Sequence, residues 1–138
     1  MTNASVTVKR ITSFVVDAEN KPGTMAKFMK GMREGGVDLM GVWAFATIGE
    51  EAKIHSIPWD EKKFLETCKK MGIDPRPRTT YYITGENRVG ALCETLDKIA
   101  AAGINFRALD AISIGDKFRA YIWGDRTNNE ALAKTLGV

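Results

Sequence analysis

The chain has 138 residues, of which 44% are apolar, 20 are basic and 17 acidic, with one histidine and two cysteines. That length suits one ordinary domain or two very small ones sharing a core, and the scattered basic residues behind a net charge of +3 argue against a nucleic-acid partner. Cys68 and Cys93 form no C-x-x-C pair, the N-terminus has no apolar signal core, and no window nears the apolar length of a membrane helix, so a reduced, cytoplasmic protein is expected.

Ser5 to Asp17, "SVTVKRITSFVVD", is rich in β-branched residues and predicts a long strand. The chain then turns at "AENK", where Pro22 suits a first helical turn and Asn20 or Lys21 suits the cap. Met25, Phe28, Met29 and Met32 fall at i, i+3, i+4 and i+7, one apolar stripe of a helix that Gly35 and Gly36 end. "VDLMGVWAFAT" (Val37 to Thr47) predicts a strand, "IGEE" a tight turn and "AKIHSIP" a return strand. Asp60 can cap a second helix whose buried stripe is Phe64, Leu65, Cys68 and Met71, and Gly72 stops it.

The second half repeats this order. "AENKPGTMAKF" (Ala18 to Phe28) returns as "GENRVGALCET" (Gly85 to Thr95), with Gly23 and Gly90 67 residues apart. At the same offset Met25 matches Leu92, Met29 matches Leu96, Met32 matches Ile99, Gly36 matches Gly103 and Leu65 matches Leu132. Each half reads strand, helix, strand, strand, helix, which predicts an α+β fold of two ferredoxin-like βαββαβ units side by side, forming one antiparallel sheet with the helices on one face. The expected domains are residues 1–75 and 76–138. The second lacks a closing strand, and the N-terminal strand is about twice the average strand length. Ile11 to Asp17 can therefore serve the first unit while Ser5 to Lys9 closes the second, just as "RPRTTYYIT" (Arg76 to Thr84) closes the first and opens the second.

The repeated loop fits two roles. A helix N-terminus offers unpaired N–H groups to a carboxylate, and Gly23 or Gly90 lets a ligand approach that backbone. Asn20 and Asn87 can bond both ends of a zwitterion, and Glu19 and Glu86 add negative charge near an ammonium. The other role is local: Asn is a favoured N-cap and Gly a turn residue.

With these motifs the sequence resembles the ACT domains, here in tandem. The resemblance rests on "ENKPGTMAKF" and "ENRVGALCET", followed by helices ending in "REGGVDLM" and "AAAGINFRAL", and spans nearly the whole chain, roughly Arg10 to Ile73 and Thr79 to Leu136. ACT domains are small regulatory modules that commonly bind free amino acids between the first loop of one domain and the second strand of a neighbour. Carried over, the loop positions are Glu19, Asn20, Pro22, Gly23 and Thr24, then Glu86, Asn87, Val89, Gly90 and Ala91. The second-strand positions lie in Met40 to Ala44 and Arg107 to Ala111, with Met40, Val42, Arg107 and Leu109 as ligand candidates. Val89 departs from the motif's Pro, and Trp43 and Met40 become Asp110 and Arg107, so the two pockets differ in chemistry. The resemblance implies a non-catalytic regulator or sensor that binds a free amino acid at a domain interface, a homodimer, and a regulated enzyme as partner. A dimerisation module with empty loops is the alternative.

The remaining residues favour plainer readings. His55 has no second ligand at metal spacing. Cys68 and Cys93 read as helix packing, and neither has a His base as a nucleophile would need. Trp43, Trp59 and Trp123 suit packing, with Trp43 the one placed to touch a ligand or partner. No acylphosphatase phosphate loop is present, and "GDKFRAYIW" lacks the aromatic pattern of an RNA-binding sheet. No cofactor, metal or catalytic residue is implied.

Overall fold

The structure, a computed structural model, describes residues 6–46 and 51–138. Among the described residues six strands and four helices follow one another as β1 (Thr7–Glu19), α1 (Thr24–Glu34), β2 (Leu39–Ala46), β3 (Glu51–Pro58), α2 (Glu61–Met71), β4 (Arg76–Glu86), α3 (Ala91–Ala101), β5 (Ala108–Ile114), β6 (Lys117–Trp123) and α4 (Asn129–Leu136). The strands hydrogen-bond in the order β2-β3-β1-β4-β6-β5, an α+β fold. Most of the expected turn "IGEE" lies outside the described residues.

The chain divides into two compact units, and the division falls inside β1 and β4. The first unit is Thr12–Arg78, with strand order β2-β3-β1-β4. Its β1 and β3 are antiparallel, as are β2 and β3. Alternate strand residues Phe14, Val16 and Ile54 meet Phe28 and Met32 of α1 and Phe64 and Cys68 of α2 in one core. The Phe14 and Phe64 rings lie 5.1 Å apart. Burial pushes the Cys68 thiol up to about 11, so this cysteine is packing and not chemistry. Close approach of α1 to α2 is built on small residues. A Cβ at Gly35 would lie 2.6 Å from Thr67 Cγ2, and one at Gly31 would overlap the end of Met71.

The second unit comprises the described residues up to Ile11 together with Thr79–Val138, with strand order β1-β4-β6-β5. Tyr81, Ile83, Ala120, Ile122, Ile99 and Leu132 form its core, and Val6 and Val8 of the N-terminal segment pack against it. Arg10 bonds Glu130 at 2.8 Å, and Tyr81 Oη donates to the Asn129 carbonyl at 2.8 Å, joining both strands to the start of α4. The β5–β6 hairpin turns on Gly115 and Asp116, with Gly115 at φ 60°.

Asp60 caps α2, its side chain accepting from Lys63 N–H at 3.1 Å, and Gly72 stops the helix in the left-handed conformation at φ 72°. The expected stripes need correction. In α1 only Phe28 and Met32 are buried, Met25 is half-buried and Met29 is exposed. In α2 Phe64, Thr67 and Cys68 are buried while Leu65 is exposed. The match of Leu65 to Leu132 fails for a geometric reason. Phe64 N–H bonds the carbonyl of the N-cap Asp60, and Leu132 N–H bonds that of the N-cap Asn128. Phe64 and Leu132 therefore hold the same helical position, and both are fully buried. The sequence offset there is 68, because the connection before α4 is longer than that before α2.

Candidate functional site

Glu19 and Glu86 are the last residues of β1 and β4, in register with Glu51 and Lys117, so each strand runs two residues further than the sequence pattern indicated. A tight turn follows in both copies. Thr24 N–H donates to Lys21 O at 3.4 Å, and Ala91 N–H donates to Arg88 O at 3.2 Å. Gly23 (φ 88°, ψ −10°) and Gly90 (φ 82°, ψ 1°) hold the third position of each turn. This is the pattern of a type II β-turn, which takes Pro second and a left-handed Gly third. The N-K-P-G element is thus a turn in which the glycine itself becomes the helix N-cap. Neither Asn20 nor Lys21 caps α1, no side chain caps α3, and Pro22 precedes the helix.

The positive φ, more than crowding, demands glycine at both turns, since a Cβ there would meet nothing within 4 Å. Val89 occupies the place of Pro22 and is fully exposed. A proline at this turn position presets φ near that of the folded turn. Val89→Pro is therefore expected to raise the unfolding free energy by about 0.4–1 kcal/mol, measured by urea denaturation. A lower midpoint would mean that Val89 adopts another conformation.

Beside each turn lies a cleft. In the first unit Asn20, Gly23 and Met25 face Ala44, Phe45 and Ala46 across a volume of about 310 Å³. In the second, Asn87, Gly90 and Leu92 face Ala111, Ile112 and Ser113 across about 280 Å³. Every one of these residues has its counterpart 67 positions away, so the two clefts are copies. Glu19 and Thr24 line the first, and Ala91 lines the second. Pro22, Glu86 and Val89 line neither, nor do Met40, Val42, Arg107 and Leu109.

The reason is strand direction. β1 and β2 both run antiparallel to β3, so they run parallel to each other and end together. Ala18, Ala52 and Ala46 are in register at that end, and Gly85, Phe118 and Ser113 are in register in the second unit. Met40 lies at the far end of β2, at a register shift between Leu39 and Gly41. The sequence pattern missed Phe45, Ala46, Ile112 and Ser113, although the repeat offset already linked them.

Charge differs between the copies. Lys21 pairs with Glu19 of its own loop at 3.1 Å, whereas its counterpart Arg88 pairs with Glu94 of α3 at 2.7 Å. The Arg76 guanidinium, and Lys53 beside it, hold the Asp17 carboxyl at about 2, so it stays charged at any ordinary pH. On the other face of the first unit His55 is in register with Val15 and Trp43, stacked on Trp43 at 5.2 Å and on Phe45 at 5.4 Å. Burial, with Arg78, Lys53 and Arg76 nearby, lowers its pKa to about 4. Cys93 departs from the packing reading, since it is exposed, lines the second cleft and lies 3.7 Å from Asp97 Oδ2. Trp123 is buried, but Trp59 is exposed. Among the described residues no three His, Cys, Asp or Glu side chains are grouped to hold a metal ion, and no helix is long and apolar enough to cross a membrane.

No family model matches the sequence, and no curated protein matches it. Solved structures do. A Bacteroides thetaiotaomicron protein superposes with a TM-score of 0.82 at 15% identity, over 94% of this chain and 88% of that one. The ligand-free regulatory subunit of aspartate kinase from Thermus thermophilus gives 0.64 at 14% identity, over 96% and 94%. The structure of aspartokinase alpha and beta subunits gives 0.63 at 16%, over 96% and 94%. At such identities the likeness is one of fold, and it extends over both units.

Proposed function

From its tandem ACT fold we infer that this protein is a non-catalytic regulator that binds a free amino acid at the turn between first strand and first helix, where domains meet. The observation that carries this reading is the pair of clefts built from the same positions 67 residues apart. Each combines an Asn side chain, a glycine turn without a Cβ and an uncapped helix start. Those groups suit the carboxylate and ammonium of an amino acid. The likeness to a regulatory subunit of aspartate kinase supports a regulatory role, with a regulated enzyme as partner. A homodimer would place a neighbour's strand against the loop, and Met40, Val42, Arg107 and Leu109 are the residues proposed to meet it.

The test is a melting panel of the full chain against the twenty amino acids at millimolar concentration, repeated with Ala46→Trp and Ser113→Trp, which fill one cleft each. A ligand at 100 times its dissociation constant is expected to add about 2.7 kcal/mol, and loss of the shift in either variant marks its cleft as the one occupied. If no amino acid moves the midpoint, the reading fails. The second reading, an association module without a ligand, would then lead. It is favoured by the edge strand β5, which exposes Leu109, Ile112 and Ile114.

A further inference from the structure

We infer that the first unit is the one that takes the amino acid, and that it selects a large apolar side chain; this rests on the amino-acid reading above. Next to the first turn a second cavity of about 490 Å³ opens within Thr12–Arg78. It shares Glu19, Lys21, Gly23, Thr24 and Ile54 with the cleft, so one loop and one strand residue border both spaces. Its floor is apolar, made by Val16, Phe28, Ile54, Met71 and Ile73. Its volume is in the range of small-molecule sites, which run from about 300 to 1,000 Å³.

The mouth is charged in a way that matches a zwitterion. Lys27 lines it and has no ion pair among the described residues, which leaves its ammonium to take the α-carboxylate. Glu19 is the acceptor for the α-ammonium. Its bond to Lys21 joins side chains 77% and 63% exposed, a surface pair of small net strength that a ligand can exchange. Asp17, the other acid at the mouth, is held by Arg76 and Lys53 and contributes no free charge. With the polar end fixed at Glu19 and Lys27, the side chain of the ligand points to Phe28, Met71 and Ile73. A small or charged side chain would leave that floor wet or unpaired.

The second copy carries the opposite arrangement at the same positions. Lys27 becomes Glu94, and Glu94 ties Arg88 down to α3 at 2.7 Å. A carboxylate approaching that turn meets an acid already paired with the loop cation. The two units have therefore diverged at the residues that would greet the ligand, while keeping the turn.

Calorimetric titration of the full chain with leucine, methionine and phenylalanine, against serine, aspartate and lysine, tests the assignment. The apolar three should bind at least tenfold more tightly than the other three. Lys27→Glu, which copies the second unit on an exposed position, should weaken leucine binding at least tenfold, and Met71→Trp should do the same by filling the cavity. Melting without ligand checks that both variants fold. Tighter binding of serine, aspartate or lysine overturns the inference and leaves the amino-acid reading intact. So does unchanged leucine affinity in both folded variants, or loss of binding with Ser113→Trp in place of Lys27→Glu. Binding of none of these six, with no melting shift from any of the twenty amino acids, overturns both.

Discussion

Phe64→Ala is expected to cost about 3–5 kcal/mol, the largest effect of any single truncation in the first unit. Its side chain is fully buried, touches the Phe14 ring and fills the space between α2 and the sheet. Since small domains are stable by only about 5–15 kcal/mol, the variant should lose roughly a fifth or more of its stability. Leu132→Ala, at the same helical position of the second unit, should cost about 2–5 kcal/mol. The neighbouring Leu65→Ala should move stability by no more than about 0.5 kcal/mol, because Leu65 faces solvent. Urea denaturation of the three variants measures this. A Leu65→Ala loss equal to that of Phe64→Ala would mean that α2 is rotated from the orientation described.

Acid should weaken the protein through His55. Its folded pKa of about 4 lies below the usual 6.5 of a free histidine. Burial disfavours the imidazolium, and the charges of Arg78, Lys53 and Arg76 add to that. Stacking on Trp43 and Phe45 would favour a cation, but a contribution of about 1 kcal/mol is smaller than the opposing terms. A depressed pKa means that the unfolded chain binds the extra proton first. The stabilisation is complete above pH 6.5 and is lost as pH falls towards 4, by at most about 3 kcal/mol. Asp17 does not enter this window, because its depressed pKa of about 2 delays its own loss to still lower pH. Melting midpoints of the protein and of His55→Gln between pH 7.5 and 4.5 measure the effect. The parent should fall more steeply with acid than the variant, and parallel curves would rule out His55 as the cause.

Helix α1 shows where sequence periodicity stops being informative. Met25, Phe28, Met29 and Met32 all satisfy an amphipathic pattern, yet Met29 is exposed. An apolar stripe is wider than the strip a neighbouring sheet can cover, and only docking decides which edge stays wet. The same holds for Leu65 beside Phe64, and for Cys93, which shares a helix with the packed Leu92 and Leu96 and still faces solvent. The candidate site divides in a similar way. Its loop residues Asn20, Gly23, Asn87 and Gly90 were legible as a repeated motif, whereas Phe45, Ala46, Ile112 and Ser113 of the facing wall were not.

What the sequence determined by itself is therefore local or periodic: the order of strands and helices, the internal repeat, the Asp60 cap, and the positions of both glycine turns. Each depends on residues within a few positions of one another, where backbone preference and hydrogen bonding act directly. The tertiary structure alone decided the register in which β1 and β2 pair with β3, and that the loop after β1 meets the end of β2 and not its beginning. Both follow from strand pairing, which joins residues dozens of positions apart. Its register is set by the fit of whole faces, and no short stretch of chain carries that information.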